Sequence, residues 1–346
     1  MIVYICRQRH AYTLGVQLHF FPGKLAAHVR LVPYELIYFL KELPAAAYIF
    51  TDLDRLTPEE LSRAARLADH LAVSGWPVLN HPRRALFRFD LLRRLHDLGL
   101  NDYNVFRLHD WQEAKRFPVF IRREMDHKGP RSPLLPDAAA LSSAVHRFRR
   151  DRKADELMII EFANAPYADG RYRKYGVQRI GDRLFHQHCY VTKDWLGKSV
   201  PPDIGPAEVA ESREAVRANP NLEKVGPIFD LAGVDYGRMD YSVMKGRIQV
   251  YEINTNPAII GVPSERNPLV ESDFFAALHE SQMLPLADFE GPPLPMPSDL
   301  AGRRRTLSAD EANARTLAAM HGRIHFRARR RRIWRMLTSP FGSARA

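Results

Sequence analysis

The segment that decides the fold is YGRMDYSVMKGRIQVYEINTNP, which spans residues 236–257. Apolar and polar residues alternate over 236–243 and again over 248–254, on either side of Lys245 and Gly246. Alternation with a period of two predicts strands that each bury one face, and a short break containing glycine predicts a tight turn. This segment therefore carries the strongest β-hairpin signal in the chain.

Oxygen-bearing side chains follow one another along this hairpin. Asp240 lies on the first predicted strand, Glu252 and Asn254 on the second, and Asn256 directly after it. Carboxylate and amide oxygens are the ligands that Mg²⁺ prefers. Arg238 lies two residues before Asp240, so it shares the same strand face and could bind a phosphate through two parallel hydrogen bonds. The alternative, which spacing alone leaves open, is a solvated row of salt bridges.

The register of the hairpin tests the metal hypothesis. Residues on antiparallel strands share a face only when they lie opposite each other or an even number of residues apart. A three-residue loop over 245–247 sets Asp240 opposite Glu252, whereas a two-residue turn sets Asp240 opposite Tyr251. The metal hypothesis therefore predicts the three-residue loop.

The N-terminal part of the chain has an α/β pattern. Strands are predicted over 1–6, 47–50 and 76–79, and a helix over 53–75, where Thr57-Pro58-Glu59-Glu60 is a typical helix start. The order strand, helix, strand predicts an α/β domain that ends near residue 82.

Further elements are predicted along the middle of the chain. They are a helix over 84–98, a strand over 117–121, a loop over 125–136, a helix over 137–149, a strand over 156–162, a hairpin over 176–190 around Gly181-Asp182, and a short helix over 227–232. A proline-rich linker is expected from about residue 290. We see no internal repeat.

The positive charge of the chain is concentrated at its C-terminal end. The chain has 51 Lys plus Arg and 40 Asp plus Glu, a formal charge of +11. Residues 301–346 hold 12 arginines and two acids, which leaves a charge of only +1 for residues 1–300. An amphipathic basic helix there could bind RNA, an anionic membrane or an acidic protein, or could be a solubilising end.

The two cysteines, Cys6 and Cys189, form neither a disulfide framework nor a zinc motif. They fit a reducing compartment, and no apolar run approaches the roughly 20 residues that cross a bilayer. We therefore expect a cytoplasmic protein, whose oligomeric state the sequence does not indicate.

The motifs around the hairpin resemble a known family. The run RMDY, a hairpin, and then YEINTNP is similar to the magnesium-binding hairpin of the ATP-grasp superfamily, in particular its D-alanine–D-alanine ligase, glutathione synthetase and ribosomal-protein glutamate ligase branch. Weaker similarity extends over about residues 76–262. The resemblance implies an ATP-grasp fold behind an N-terminal α/β domain.

The resemblance also implies roles for the hairpin residues. Asp240, Glu252 and Asn254 would hold Mg²⁺ ions that bridge ATP phosphates, Arg238 would contact phosphate or the acyl phosphate, and Asn256 would orient the phosphoryl group or the acyl intermediate.

The resemblance assigns ATP-binding residues upstream. Arg88 and Arg122 occupy the positions of two family lysines, Glu161, Phe162 and Ala163 would form the adenine and ribose hinge, and Lys174 would face the nucleotide. The phosphate loop MDHKGPRS has one glycine and relies on His127, Lys128 and Arg131, which departs from the family pattern. Because a guanidinium binds phosphate in a different geometry from an ammonium, these changes bear on activity. Ordinary surface charge, and a solvated acid at Glu161, are the alternatives.

His186 and His188 alternate along a predicted strand and would share one face, where they could bind zinc or line an acceptor pocket. Cys6 and Cys189 are expected to be buried structural thiols.

Taken together, these features predict an α/β protein that acts as an ATP-dependent carboxylate–amine ligase, with ATP and Mg²⁺ as cofactors and a small-molecule or peptide carboxylate and an amine as substrates. The alternatives are a degenerate nucleotide-binding scaffold tethered by its basic tail and an ATP-grasp kinase.

The predicted units are an N-terminal α/β domain over 1–82, a central subdomain over 83–190, a C-terminal subdomain with the hairpin over 191–290, and a linker with a basic helical tail over 291–346.

Overall fold

The computed structural model describes residues 1–126, 129–164, 166–197, 204–260, 271–302 and 306–338, with side chains described as far as Arg323 in the last helix. His127 and Lys128 of the predicted phosphate loop lie outside the described residues, as do 303–305 and 339–346 of the basic end.

The strands and helices are numbered in chain order. The strands are β1 Ile2–Cys6, β2 Val29–Pro33, β3 Glu42–Leu43, β4 Ala47–Phe50, β5 Val78–Leu79, β6 Val105–Arg107, β7 Val119–Arg123, β8 Leu157–Glu161, β9 Tyr172–Ile180, β10 Arg183–Thr192, β11 Tyr236–Met244, β12 Arg247–Asn254 and β13 Leu294–Pro295. The helices are α1 Tyr12–Phe20, α2 Leu25–His28, α3 Tyr34–Ile37, α4 Pro58–Val73, α5 Arg88–Asp97, α6 Ala138–Phe148, α7 Pro206–Ala218, α8 Leu222–Ala232, α9 Ser272–Met283 and α10 Ala309–Thr338.

The N-terminal sheet is parallel and has the order β2-β1-β4-β5. Every residue of β1 is buried, which agrees with the continuous apolar run expected of a parallel strand that is covered on both faces. Helix α4 begins with a capping box, in which Glu60 N–H donates to the Thr57 hydroxyl and Thr57 N–H donates to the Glu60 carboxylate. The predicted N-terminal α/β unit is thus present.

Two antiparallel sheets follow. The first has the order β6-β8-β7, and the second has the order β10-β9-β11-β12, with the predicted hairpin at one edge. Val177, Met239 and Tyr241 on one face of the second sheet pack with Phe229 of α8 and Leu91 of α5. This packing leaves the opposite face of the sheet for polar side chains.

Asn80, from the short VLNHP element, joins the N-terminal sheet to the hairpin. Its side-chain N–H groups donate to the carbonyls of Phe50 and Tyr236, and its oxygen accepts from the N–H groups of Asp235 and Tyr236. Asn80 has φ of 57°, a conformation that asparagine adopts more readily than most residues. Strand β11 therefore begins at a fixed place against the N-terminal sheet.

The C-terminal segment packs on the N-terminal sheet. Strand β13 pairs with β3, and Met296 and Leu300 are buried in the core beside Trp76. Ala312, Thr316 and Met320 on the first half of α10 are also buried. The predicted proline-rich linker is therefore docked on the sheet. Binding of an anionic partner by the arginine-rich end stays a prediction.

The predicted α/β class and all the predicted strands are confirmed, with shifts of a few residues at their ends. The predicted short helix over 227–232 is longer, because α8 starts at Leu222. Strand β2 and helices α1, α7 and α9 were not predicted, and the domain boundaries stay predictions. Across the described ranges, we find no helix with the length and apolar character that a bilayer crossing requires.

Candidate functional site

The hairpin β11–β12 places its two acids on one face by a route that differs from the predicted one. Its turn has two residues, Lys245 and Gly246, both at positive φ, as a type I′ turn requires. The predicted three-residue loop is therefore wrong. Tyr241 pairs with Val250 but Asp240 pairs with Glu252, so Tyr251 is an extra residue, a β-bulge. This bulge restores the register that brings the carboxylates together.

Asp240 is buried and held by two cations. Arg238 Nε donates to Asp240 Oδ1 at 2.9 Å, and Lys174 Nζ lies 3.4 Å from Asp240 Oδ2. Burial alone raises the pKa of a carboxyl group, but the positive charges of Arg238 and Lys174 outweigh it and hold the pKa of Asp240 below its ordinary value. Asp240 is thus a carboxylate at neutral pH.

Glu252 is held by two arginines. Arg88 Nη2 donates to Glu252 Oε2, and Arg122 Nη2 lies 3.8 Å from the same oxygen. Burial lowers the pKa of both guanidinium groups, that of Arg122 to about 9, with the charge of Arg88 as the next cause. The described part of the site therefore gathers two carboxylates and four cations: Asp240, Glu252, Arg88, Arg122, Lys174 and Arg238.

Arg88 lies behind Glu252 and points toward the backbone that follows β7. Its Nη1 donates to the carbonyls of Glu124 and Asp126, the latter at 3.2 Å. Arg88 does not line the large cavity, whereas Arg122 and Lys174 do. The structure thus separates the two predicted phosphate arginines: Arg122 lines this cavity, whereas Arg88 lines a smaller pocket together with Asp54 and Glu124.

The cavity lies between the two antiparallel sheets and measures about 890 Å³, including the solvent at its mouth. The ionic side chains Arg122, Lys174, Asp240 and Glu252 form one group in its lining, joined by ion pairs, and we call this group the ionic end. The apolar side chains form a second group, in which Phe120 and Phe162 contact Trp195, and we call it the apolar end; its members are Phe120, Ile160, Phe162, Ala163, Trp195 and Leu196. A cleft lined by an apolar group and a charged group has the form of a site for a ligand with an aromatic ring and a charged group.

The three predicted hinge residues all line this cavity. Glu161 ends strand β8, and its carboxylate accepts a hydrogen bond from Asn104 N–H at 2.9 Å. Phe162 N–H donates to the Pro118 carbonyl, and the Phe162 ring meets Trp195 edge-on at 5.3 Å between centroids. These bonds fix the end of β8 along the apolar end of the cavity.

Asn254 and Asn256 lie at the far end of β12. Asn254 pairs with Arg238, and its side-chain oxygen accepts from Asn256 N–H at 2.9 Å. The Asn256 side chain accepts from the hydroxyls of Tyr4 and Thr13 and donates to Asp52 at 2.7 Å. Asn256 therefore ties the hairpin to the N-terminal sheet, and its predicted catalytic role stays a prediction.

His186 and His188 do not share a face, so the predicted pair is wrong. A bulge at Gln187 lets them pair with the consecutive residues Val177 and Gly176. Among the described residues, no group of three or more His, Cys, Asp or Glu residues could hold a metal ion. Burial lowers the pKa of His186 to about 4 and holds the pKa of His188 well below its ordinary value, so both rings are neutral at neutral pH.

The free thiols Cys6 and Cys189 are both buried, as predicted. Burial raises the pKa of Cys189 to about 12 and also raises that of Cys6, so neither is a nucleophile at neutral pH.

Several residues that line the cavity were not predicted, in particular Tyr103, Trp195 and Tyr251. Trp195 follows β10 and contacts Phe120 and Phe162 at 5.2 and 5.3 Å between ring centroids. One feature of the sequence could have indicated a role for Trp195: it is a large aromatic residue that follows the polar residues Lys193 and Asp194 after a predicted strand.

The chain matches no protein-family model and no curated protein sequence. It is similar to solved structures over most of its length. D-alanine–D-alanine ligase from Bacillus anthracis is 16% identical, with 83% of this chain and 96% of that chain covered and a TM-score of 0.48. The ATP-grasp ligase PsnB with Mg and ADP is 15% identical, covering 81% and 96%, with a TM-score of 0.45. L-amino acid ligase from Bacillus licheniformis is 11% identical, covering 82% and 73%, with a TM-score of 0.42.

Proposed function

We propose that the chain is an ATP-dependent carboxylate–amine ligase. The observation that carries the proposal is the pairing of Asp240 with Glu252 at the charged end of a cavity whose other end is aromatic. A nucleoside triphosphate has the same division, because its base is planar and apolar on its faces and its phosphates are strongly negative.

The donor set fits a magnesium ion. Two carboxylates directly opposite on neighbouring strands have Cβ atoms roughly 5 Å apart, which is close enough for both to reach one small cation. When bound, Mg²⁺ would neutralise phosphate charge at this place. Arg122 and Lys174, which line the cavity beside the acids, would bind phosphate oxygens directly.

The reaction follows from the resemblance of the RMDY and YEINTNP motifs, and the cations suit it. A carboxylate oxygen of the first substrate attacks the γ-phosphorus of ATP, and ADP leaves. The amine then attacks the acyl carbon, phosphate leaves, and the nitrogen loses a proton, so an amide forms. Both steps move negative charge between oxygens, which positioned cations stabilise. Arg238 lies beside the cavity without lining it, and its Nε donates to Asp240 and its Nη1 to Gln187. In this proposal it contacts the transferring phosphoryl group in that fixed orientation.

The hinge residues would bind the nucleoside. The backbone at Phe162 and Ala163 would lie along the adenine edge, and Glu161 would take the ribose hydroxyls. As part of the proposal we keep a cytoplasmic location, which two buried free thiols suit.

Product analysis tests the proposed function. Purified protein is incubated with Mg²⁺ and ATP and with libraries of amino acids, peptides and small carboxylates, and ADP and free phosphate are measured. Acceptor-dependent release of equal amounts of ADP and phosphate, together with a new amide in the mass spectrum, is expected. ADP with a stable phosphorylated product would indicate a kinase instead, and nucleotide binding without turnover would indicate a scaffold.

A further inference from the structure

The four cations of the site differ in how firmly they are held. Arg88 is the most fixed, because its guanidinium donates to two backbone carbonyls, those of Glu124 and Asp126, and to Glu252 Oε2. Its side chain is 7% exposed. Moving Arg88 away would break its bonds to both carbonyls and to Glu252 at the same time, which is unfavourable.

The backbone segment to which Arg88 donates, at Glu124 and Asp126, is held in place by further contacts. The Glu124 carboxylate accepts from Phe89 N–H at 3.1 Å, and it also forms an ion pair with Arg107 at 2.5 Å. The guanidinium of Arg107 in turn lies 3.6 Å from the centre of the Phe89 ring. Hydrogen bonds and ion pairs therefore tie Arg88, the residues after β7 and the start of α5 to one another.

Lys174 is held in a different way. It lies 3.4 Å from Asp240 Oδ2, its side chain is 19% exposed, and it lines the cavity. A lysine has a flexible stem, so Lys174 can turn from Asp240 to an arriving phosphate without breaking a backbone contact. Nucleotide binding can therefore free the Oδ2 atom of Asp240, while Arg238 still holds Oδ1. Glu252 stays bound to Arg88 through Oε2.

We infer that this site takes one Mg²⁺ ion with its nucleotide, and that Arg88 is a positioning residue whose fixed positive charge occupies the place of a second ion on Glu252. The inference rests on the proposed function. Asp240 and the other oxygen of Glu252 bind the ion, and Arg88 holds Glu252 in the orientation that this binding needs.

The number of bound ions tests the inference without any turnover. Mn²⁺ is titrated into the full chain with a saturating non-hydrolysable ATP analogue, and free Mn²⁺ is counted by electron paramagnetic resonance. One Mn²⁺ per chain is expected. Two per chain at saturation would overturn the inference, and this measurement on the unsubstituted protein does not depend on whether a variant folds.

The variant Arg88→Lys tests the role of the guanidinium. A lysine cannot donate to both carbonyls and to Glu252 in the same planar arrangement, so Glu252 is released and the count is expected to rise from one Mn²⁺ to two. The matched control is Arg93→Lys on the same helix, where the side chain is 41% exposed and pairs with Asp97. This control should still bind one ion.

A folded Arg88→Lys protein, judged by its circular dichroism and melting temperature, that still binds one Mn²⁺ would overturn the role given to Arg88. Binding of the nucleotide analogue is measured on the same samples by calorimetry. Analogue binding with two ions in the unsubstituted protein contradicts this inference alone, whereas no analogue binding at all contradicts both the inference and the proposed function.

Discussion

Different interactions hold the side chains in place at the two ends of the cavity. At the ionic end, each group is fixed by a specific partner, as when Arg238 Nε donates to Asp240 and Arg88 donates to Glu252. At the apolar end, hydrogen bonds fix the backbone of β8 and its end, but the Phe162 and Trp195 rings are placed by packing against each other. Directed bonds make the ionic end sensitive to a change of one atom, while the apolar end should tolerate any side chain of similar size and shape.

The sharpest way to test this comparison is Asp240→Asn, which changes an oxygen to a nitrogen and leaves the shape unchanged. The substitution removes the negative charge that faces Lys174 and the proposed Mg²⁺ ion. It should lower kcat by about 100-fold or more, with a much smaller effect on nucleoside binding. Steady-state measurement of ADP release gives this change in kcat. Asp230→Asn is the control, since Asp230 lies on α8 and pairs with Arg179 at the surface. Turnover within a few-fold of the unsubstituted protein would show that Asp240 is not a ligand.

Trp195→Ala tests the apolar end. Removing an aromatic ring that stacks near a base is expected to weaken nucleotide binding by about 1–3 kcal/mol, which is roughly a 5- to 150-fold rise in Kd. Trp195→Phe should keep most of the affinity, because a ring still meets Phe120 and Phe162. Calorimetry with an ATP analogue measures both variants. If Trp195→Ala and Trp195→Phe lost the same amount of affinity for the analogue, ring packing would not explain how this part of the cavity is held in place.

The smallest expected effect is on the pH dependence of stability. The pKa of Asp240 is lower in the folded protein than in the unfolded chain, so its stabilising contribution is complete above its ordinary pKa and is lost as the pH falls further. The difference in free energy of unfolding between the protein and Asp240→Asn should be about 2 kcal/mol at pH 7 and should shrink below about pH 4. Urea unfolding at a series of pH values measures this difference, and a constant value would contradict the assignment.

The shared face of Asp240 and Glu252 could be predicted because these two residues lie close together in the chain. Asp240 and Glu252 belong to one hairpin, and alternation alone shows which residues could share a face. The turn length was predicted wrongly, since a bulge at Tyr251 has no signal in an alternating pattern. The same limitation explains His186 and His188, where the bulge at Gln187 reverses the face of one ring.

The apolar end was predicted less completely. Phe162 and Ala163 were assigned through the resemblance of their segment to a known family, but Trp195 reaches the cavity from a segment after β10, for which no such resemblance was found. Arg88 shows a third limit of prediction from the sequence. Its sequence position suggests a phosphate ligand, yet its partners are the carbonyls of Glu124 and Asp126. Backbone carbonyls belong to every residue, so no side-chain pattern reveals that an arginine will bind them.

Helix α10 has a further consequence for the solution behaviour of the protein. Strand β2 lies at the edge of the N-terminal sheet, and unpaired backbone groups at such an edge invite pairing with strands of other molecules. The N–H of Leu31 donates to Asn313 of α10, and Arg30 forms an ion pair with Asp310 on the same helix. The start of α10 thus covers part of this edge, which should hinder its pairing with strands of other molecules, and this effect does not depend on the arginine-rich end of the chain.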